Sequence, residues 1–224
     1  MINFWIIPIL LLALLTTFGY FRGRKKNNWI SGWIARESEN ALKPLDTQYT
    51  NFGGAIGYNF IYKLEKPFRE AKGTFTLLPR HSILYLPISY LISRYDRYYL
   101  NLYVQGKLLG EGHIVAQKYR NKARKLIEGI QTMQTAEVFR ENKRYLLFWK
   151  EKGMEERLRK FLDKIECPDQ LLHFCCYGEN KNFFFYLRPE RERLEEFLKS
   201  ALPELKRFFV KGAGNDDGRN EKEA

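Results

Sequence analysis

Three histidines (His81, His113, His173) and three cysteines (Cys167, Cys175, Cys176) are the side chains best suited to nucleophilic or metal chemistry in this chain. No two of the histidines stand at a metal-ligand spacing, so no metal site is expected. His173 and Cys175 share one face of any strand that carries them, while Cys176 points the other way. Such a pair could set an imidazole beside a thiolate nucleophile. The flanking Leu171, Leu172 and Phe174 favour a reduced, buried cysteine instead, and no catalytic residue is assigned. His81 and Ser82, with Asp96, supply the residue types of a hydrolase triad without a nucleophile elbow. Gly53-Gly54-Ala55-Ile56-Gly57 is as glycine-rich as a phosphate loop. A strand-like run, residues 56–62, follows where a helix N-terminus would be needed. No cofactor is expected.

Cations and rings also interleave. Lys118, Arg120, Lys122, Arg124 and Lys125 crowd one helix start around Tyr119, forming a candidate anionic-ligand patch. Arg94, Tyr95, Arg97, Tyr98 and Tyr99 make a second cluster. Single-strand binders combine such groups. Tyrosines are also common strand formers, and a cationic helix face is ordinarily just solvated. Nucleic acid is therefore open but not favoured as a partner.

These residues need elements to position them, and the first element is the plainest. Residues 2–21, INFWIIPILLLALLTTFGYF, carry no charge. At about 1.5 Å per residue such a run spans the roughly 30 Å hydrocarbon layer of a bilayer. Ile2, Phe4, Trp5, Ile6, Leu10, Leu15, Phe18 and Tyr20 are its expected membrane-facing residues. Arg22, Arg24, Lys25 and Lys26 follow at once. No Lys or Arg precedes the run, which argues for an uncleaved signal anchor over a cleaved signal peptide. The positive-inside rule then leaves the N-terminus outside and the C-terminal domain cytoplasmic. Residues 28–50 form a juxtamembrane segment in which Trp29, Ile30, Trp33 and Ile34 share a helical side. Trp29 and Trp33 suit the headgroup layer; the alternative is an ordinary helix packed on the domain.

A net charge of +12 is strongest beside the anchor and within residues 119–165, and anionic lipid explains basic residues near a cytoplasmic leaflet. Hydrophobic content of 45% and aromatic content of 16% suffice for a core. Residues 212–224 have a disordered composition. Three cysteines in an odd, partly adjacent arrangement give no disulfide framework and fit a reducing compartment.

The domain, residues 51–211, is expected to be α+β. Helical stripes occur at 116–130, 153–165 and 190–202, with a degenerate one at Ile88, Leu91, Ile92 and Tyr95. The segments RKLIEGI and RKFLDKI match at an offset of 35. Before each stripe lies a candidate hairpin: 56–62 with 73–78, 98–104 with 108–115, 135–139 with 144–149, and 171–177 with 182–187. The expectation is up to four ββα units of about 36 residues, forming antiparallel sheet with helices on one face and the other free for a partner.

The function expected is a single-pass, membrane-anchored protein whose cytoplasmic domain is a non-catalytic interaction or scaffold module. It would touch lipid through the anchor and recruit a protein partner. The alternatives are a membrane-tethered enzyme acting on a lipid or nucleotide, and a nucleic-acid-binding domain.

Overall fold

A computed structural model of the chain describes residues 6–210. Its secondary structure is α+β: one long N-terminal apolar helix, a nine-stranded antiparallel sheet and four shorter helices. Ile2, Phe4, Trp5 and the tail 212–224 lie outside the described residues.

Helix α1 runs unbroken from Ile6 to Leu42, about 55 Å at the usual rise. Its two halves face different surroundings. Through Phe21 nearly every apolar side chain is exposed. From Gly23 onward a stripe of Gly23, Asn27, Ile30, Ile34, Ser38 and Ala41 is buried, at the three- and four-residue spacing of one helix face. The segment expected at 28–50 thus divides. Residues through Leu42 continue α1 against the sheet, and β1 (Asp46–Asn51) is an edge strand.

The remaining strands are β2 (Gly57–Lys63), β3 (Phe68–Thr76), β4 (Arg97–Val104), β5 (Glu111–Ala116), β6 (Gln134–Arg140), β7 (Lys143–Trp149), β8 (Leu171–Tyr177) and β9 (Asn182–Leu187). Their order is β1-β2-β3-β4-β9-β8-β5-β7-β6. Three expected hairpins form: β2–β3, β6–β7 and β8–β9. The β6–β7 turn is Glu141-Asn142, both at positive φ (48° and 58°), the two-residue geometry that matches strand twist.

The fourth expected hairpin does not form. β4 pairs with β3 and β9, and β5 with β7 and β8, so two strands separate them. The reason lies in the link between them. Its backbone bonds the C-terminal segment instead, with Leu109 N–H donating to Phe208 O at 2.9 Å and Val210 N–H to Lys107 O at 2.9 Å.

The helices are α2 (Leu86–Ile92), α3 (Arg120–Leu126), α4 (Met154–Lys164) and α5 (Arg193–Glu204). Strand-strand-helix order recurs four times along the chain, but the units are not equivalent in space. The C-terminal half of α1, with α4 and α5, covers one sheet face. There Phe161 stacks on Phe174 at 4.4 Å and Phe197 meets Phe185 edge-on at 6.1 Å. Helix α3 lies on the opposite face. Ala123, Ile127, Ile130 and Met133 pack there against Val115, Leu146 and Phe148. Helices on a single face is therefore corrected. β5 and β7 are apolar at consecutive positions, so both of their faces demand cover. Leu126, expected in the α3 stripe, is exposed.

Candidate functional site

Helix α3 shields only the β5–β7–β8 part of its face. Over β2, β3 and β4 no described helix covers this face, and on β9 Tyr119 covers only Tyr186. Alternation along β4 turns Leu100, Leu102 and Val104 inward and Tyr99, Asn101 and Tyr103 outward. On β9 it places Asn182, Phe184 and Tyr186 on that same face, with Phe184 half-buried and Asn182 and Tyr186 buried. Tyr99 stacks on Tyr186 at 4.6 Å and on Phe184 at 6.5 Å. Tyr119 closes one end of this row, edge-on to Tyr186 at 5.1 Å. At the other end the ring of Tyr103 has the Arg69 guanidinium at 5.7 Å and the Lys72 ammonium at 5.4 Å. Asn182 Nδ2 donates to Asn101 Oδ1 at 2.9 Å, fixing the polar rung between them.

Cations border the row near Tyr119. Arg188 lies 5.9 Å from the Tyr95 ring, and Arg97 donates to Ser93 Oγ at 2.8 Å. Burial, and then the neighbouring Arg188 and Lys143, hold the Lys118 ammonium below its usual pKa. Burial also raises the Tyr119 phenol. The result is an aromatic row in which Tyr99, Tyr103 and Phe184 are half-buried at the surface and Tyr186 is buried beneath Tyr99 and Tyr119, with positive edges, suited to packing against rings or aliphatic stems and to pairing with carboxylates or phosphates.

The basic patch predicted on α3 is only partly assembled with this platform. Lys118 reaches the cationic border, and Arg120 is half-buried. Lys122, Arg124 and Lys125 are exposed on α3. Arg22, Arg24, Lys25 and Lys26 are all exposed on α1. So are Ile6, Leu10, Leu15, Phe18 and Tyr20. Trp29 and Trp33 do not share a setting with Ile30 and Ile34, which are buried in the core. Trp29 is exposed, with the Arg191 guanidinium 5.3 Å from its ring, and Trp33 is half-buried against the core.

The structure also brings together groups that the sequence keeps apart. Antiparallel pairing of β5 with β8 sets His113 opposite Cys175 and Val115 opposite His173. His113 Nδ1 lies 3.1 Å from His173 Nε2, and His113 Nε2 lies 3.1 Å from Glu111 Oε1. Both contacts are satisfied when His173 Nε2–H donates to His113 Nδ1 and His113 Nε2–H donates to the carboxylate. Glu111 also pairs with Lys150. The hydrogen bond from His113 is the main cause that holds Glu111 near a pKa of about 2. Burial, then the nearby His113, push His173 down to about 3.

Cys175 Sγ sits 3.8 Å from His113 Nε2, fully buried, and burial raises its pKa well above the usual thiol value. It is thus a protonated, enclosed thiol rather than a poised nucleophile. No local motif pointed to this network, because its strands are some sixty residues apart.

Two other sequence features resolve structurally. Asp96 accepts from Arg80 Nη1 and Nη2 at 2.9 and 2.8 Å and from Leu78 N–H at 2.8 Å, so it does not orient His81. The Gly53–Gly54 segment is the β1–β2 turn. Gly54 is at φ 62°, Gly53 N–H donates to Asn51 Oδ1 at 3.0 Å, and a strand follows.

No known family model matches the chain, and no curated protein matches it.

Proposed function

We propose that this chain is a single-pass membrane protein that recruits a protein partner through the uncovered face of its sheet. In this reading residues 2–21 span the bilayer with the N-terminus outside. Arg22, Arg24, Lys25 and Lys26 meet anionic headgroups, and the α+β domain sits in the cytoplasm. An N-terminal helix long and apolar enough to cross a membrane supports the anchor by length and composition alone. Each well-placed cation contributes at most about 1 kcal/mol at an anionic leaflet.

The observation that carries the recruitment is the platform of Tyr99, Phe184, Tyr186 and Tyr103 with cations at both ends. Large rings held by neighbouring strands bury area on binding at little entropic cost. The partner that fits presents apolar side chains flanked by carboxylates.

The test is photocrosslinking from cells or native membranes. A photoreactive phenylalanine is placed at Tyr99 or Tyr103, and at the exposed Phe139 on β6 as a control. A discrete protein adduct from the first two positions, absent at Phe139 and lost in Tyr186→Ala, is the expected result. Adducts equal at all three positions, or adducts to nucleic acid alone, would overturn the recruitment reading. A nucleic-acid ligand would also show binding that collapses between low and moderate salt.

A further inference from the structure

We propose that residues 83–92, carrying α2, lie in the membrane as a second, shallow contact beside the spanning part of α1. This rests on the anchor reading above.

The segment departs from α4 and α5, each of which buries an apolar stripe. In α2 only Ser89 is buried. Leu84 is 68% exposed, Leu91 81% and Ile92 63%, and Ile88 is about half exposed. Seven residues with this composition, facing water, would be an unexplained apolar patch. In sequence the same stretch has no charged residue and is too short to span a bilayer.

Its position supplies the explanation. Ile83 packs on Gly19 so closely that a methyl group there would fall 1.8 Å from Ile83 Cδ1. Tyr20 meets His81 edge-on at 5.8 Å. Gly23 touches the backbone of Arg80, again with no room for a Cβ. The segment thus stands beside the last turns of the apolar run, about one turn short of its charged end. A latch holds it there: buried Asn27 donates to Leu78 O at 2.8 Å and accepts from Arg80 at 3.1 Å, and Arg80 is itself clamped by Asp96.

The chemistry around the patch selects lipid over a protein partner. Ile83 and Leu84, which lead into α2, line one cleft with Thr16, Tyr20 and Phe21 of α1. Tyr85 and Tyr90 stand half-exposed, as interfacial aromatic rings do. Arg94 follows the segment in sequence, and Arg22, Arg24, Lys25 and Lys26 follow Gly19 on α1, supplying cations that anionic headgroups fit. Two contacts hold the domain against one leaflet where the anchor alone would leave a single tether.

The experiment uses the full-length chain in nanodiscs of mixed neutral and anionic lipid. Cys167 is changed to Ser, leaving buried Cys175 and Cys176 unlabelled. A fluorescent or nitroxide label is then placed singly by Leu84→Cys, Leu91→Cys, Leu10→Cys or Phe139→Cys. The expected result is strong quenching by brominated lipid at Leu10, Leu84 and Leu91. Leu84 and Leu91 should also be several-fold less accessible to an aqueous quencher than Phe139. Quenching at Leu10 with Leu84 and Leu91 behaving like Phe139 overturns this inference and leaves the anchor standing. No lipid quenching at Leu10 overturns both. Protection at Leu91 that disappears in discs holding one copy assigns the patch to a second copy of the chain and also overturns the inference.

Discussion

The carboxylate of Glu37 in α1 accepts the backbone N–H of Glu192 at 2.7 Å, and through its other oxygen that of Glu195 at 3.2 Å. The first turn of α5 is thus capped from another helix, because Glu192, at its own N-cap position, makes no side-chain cap. A carboxylate there satisfies orphan donors and faces the positive end of the helix dipole. Glu37→Ala removes both acceptors and should destabilise the domain by about 1–3 kcal/mol. Urea unfolding in mild detergent measures it, with Glu37→Gln losing less because one acceptor oxygen remains.

Truncation should separate the two halves of α1. A chain beginning at residue 22 keeps the buried stripe and should fold as a monomer in mild detergent. A chain beginning at residue 43 loses Ile30, Ile34, Ala41 and Leu42 from the core and the Ser38–Tyr98 hydrogen bond of 2.9 Å. At roughly 1.5–3 kcal/mol per large buried side chain, that loss is comparable with the whole stability of an ordinary domain. The expected outcome is insoluble or dye-binding protein, checked by gel filtration and near-ultraviolet circular dichroism.

Acid should weaken the fold through His173. Its folded pKa of about 3 lies below the ordinary 6.5, so the unfolded chain takes up a proton that the folded chain refuses. Stability is full above about pH 6.5 and falls as pH drops towards 3, by up to about 3 kcal/mol between pH 6.5 and 4. Glu111, held near 2, adds a further loss below the ordinary carboxylate pKa. His113, Tyr119 and Phe184 surround His173, and the carboxylate of the same network, Glu111, is engaged by His113 and Lys150 instead. His173→Gln should flatten the slope between pH 6.5 and 4 in unfolding experiments run at several pH values. An unchanged slope would refute the assignment.

Gly112 should resist any side chain. On β5 it faces α4, and an added Cβ would lie 2.6 Å from Met154 Cγ. Gly112→Ala should cost about 1–3 kcal/mol, since the packed helix must shift to admit it. Gly112→Ala combined with Met154→Ala should recover part of that loss, as read by thermal unfolding.

Much of the fold was legible from residues alone. The helices at 154–164 and 193–204 announce themselves by apolar side chains at three- and four-residue spacing, with Glu155, Glu156, Glu195 and Glu196 in their first turns. The hairpins around Glu141-Asn142 and residues 178–181 are local and carry turn residues, so sequence suffices. Strand neighbours distant along the chain leave no such trace. Nothing in residues 98–115 says that β9 and β8 insert between β4 and β5, because that choice is made by side chains some eighty residues away. The aromatic platform shows the same limit. Tyr95 and Tyr99 stand in one visible cluster, but Phe184 and Tyr186 join them only through the β4–β9 pairing. The edge strand β1 was hidden because DTQYTN has no buried position to give it a period.

Helix α1 carries no proline kink or break between Gly19 and Leu42, and the domain is packed along its last five turns. In the anchored reading the molecule therefore has no swivel. A bilayer too thin for the apolar run tilts the helix rather than stretching it, and the sheet must lean with it. Membrane thickness would then set the bearing in which Tyr99 and Tyr103 are presented, as a compass needle is set by the case to which it is fixed.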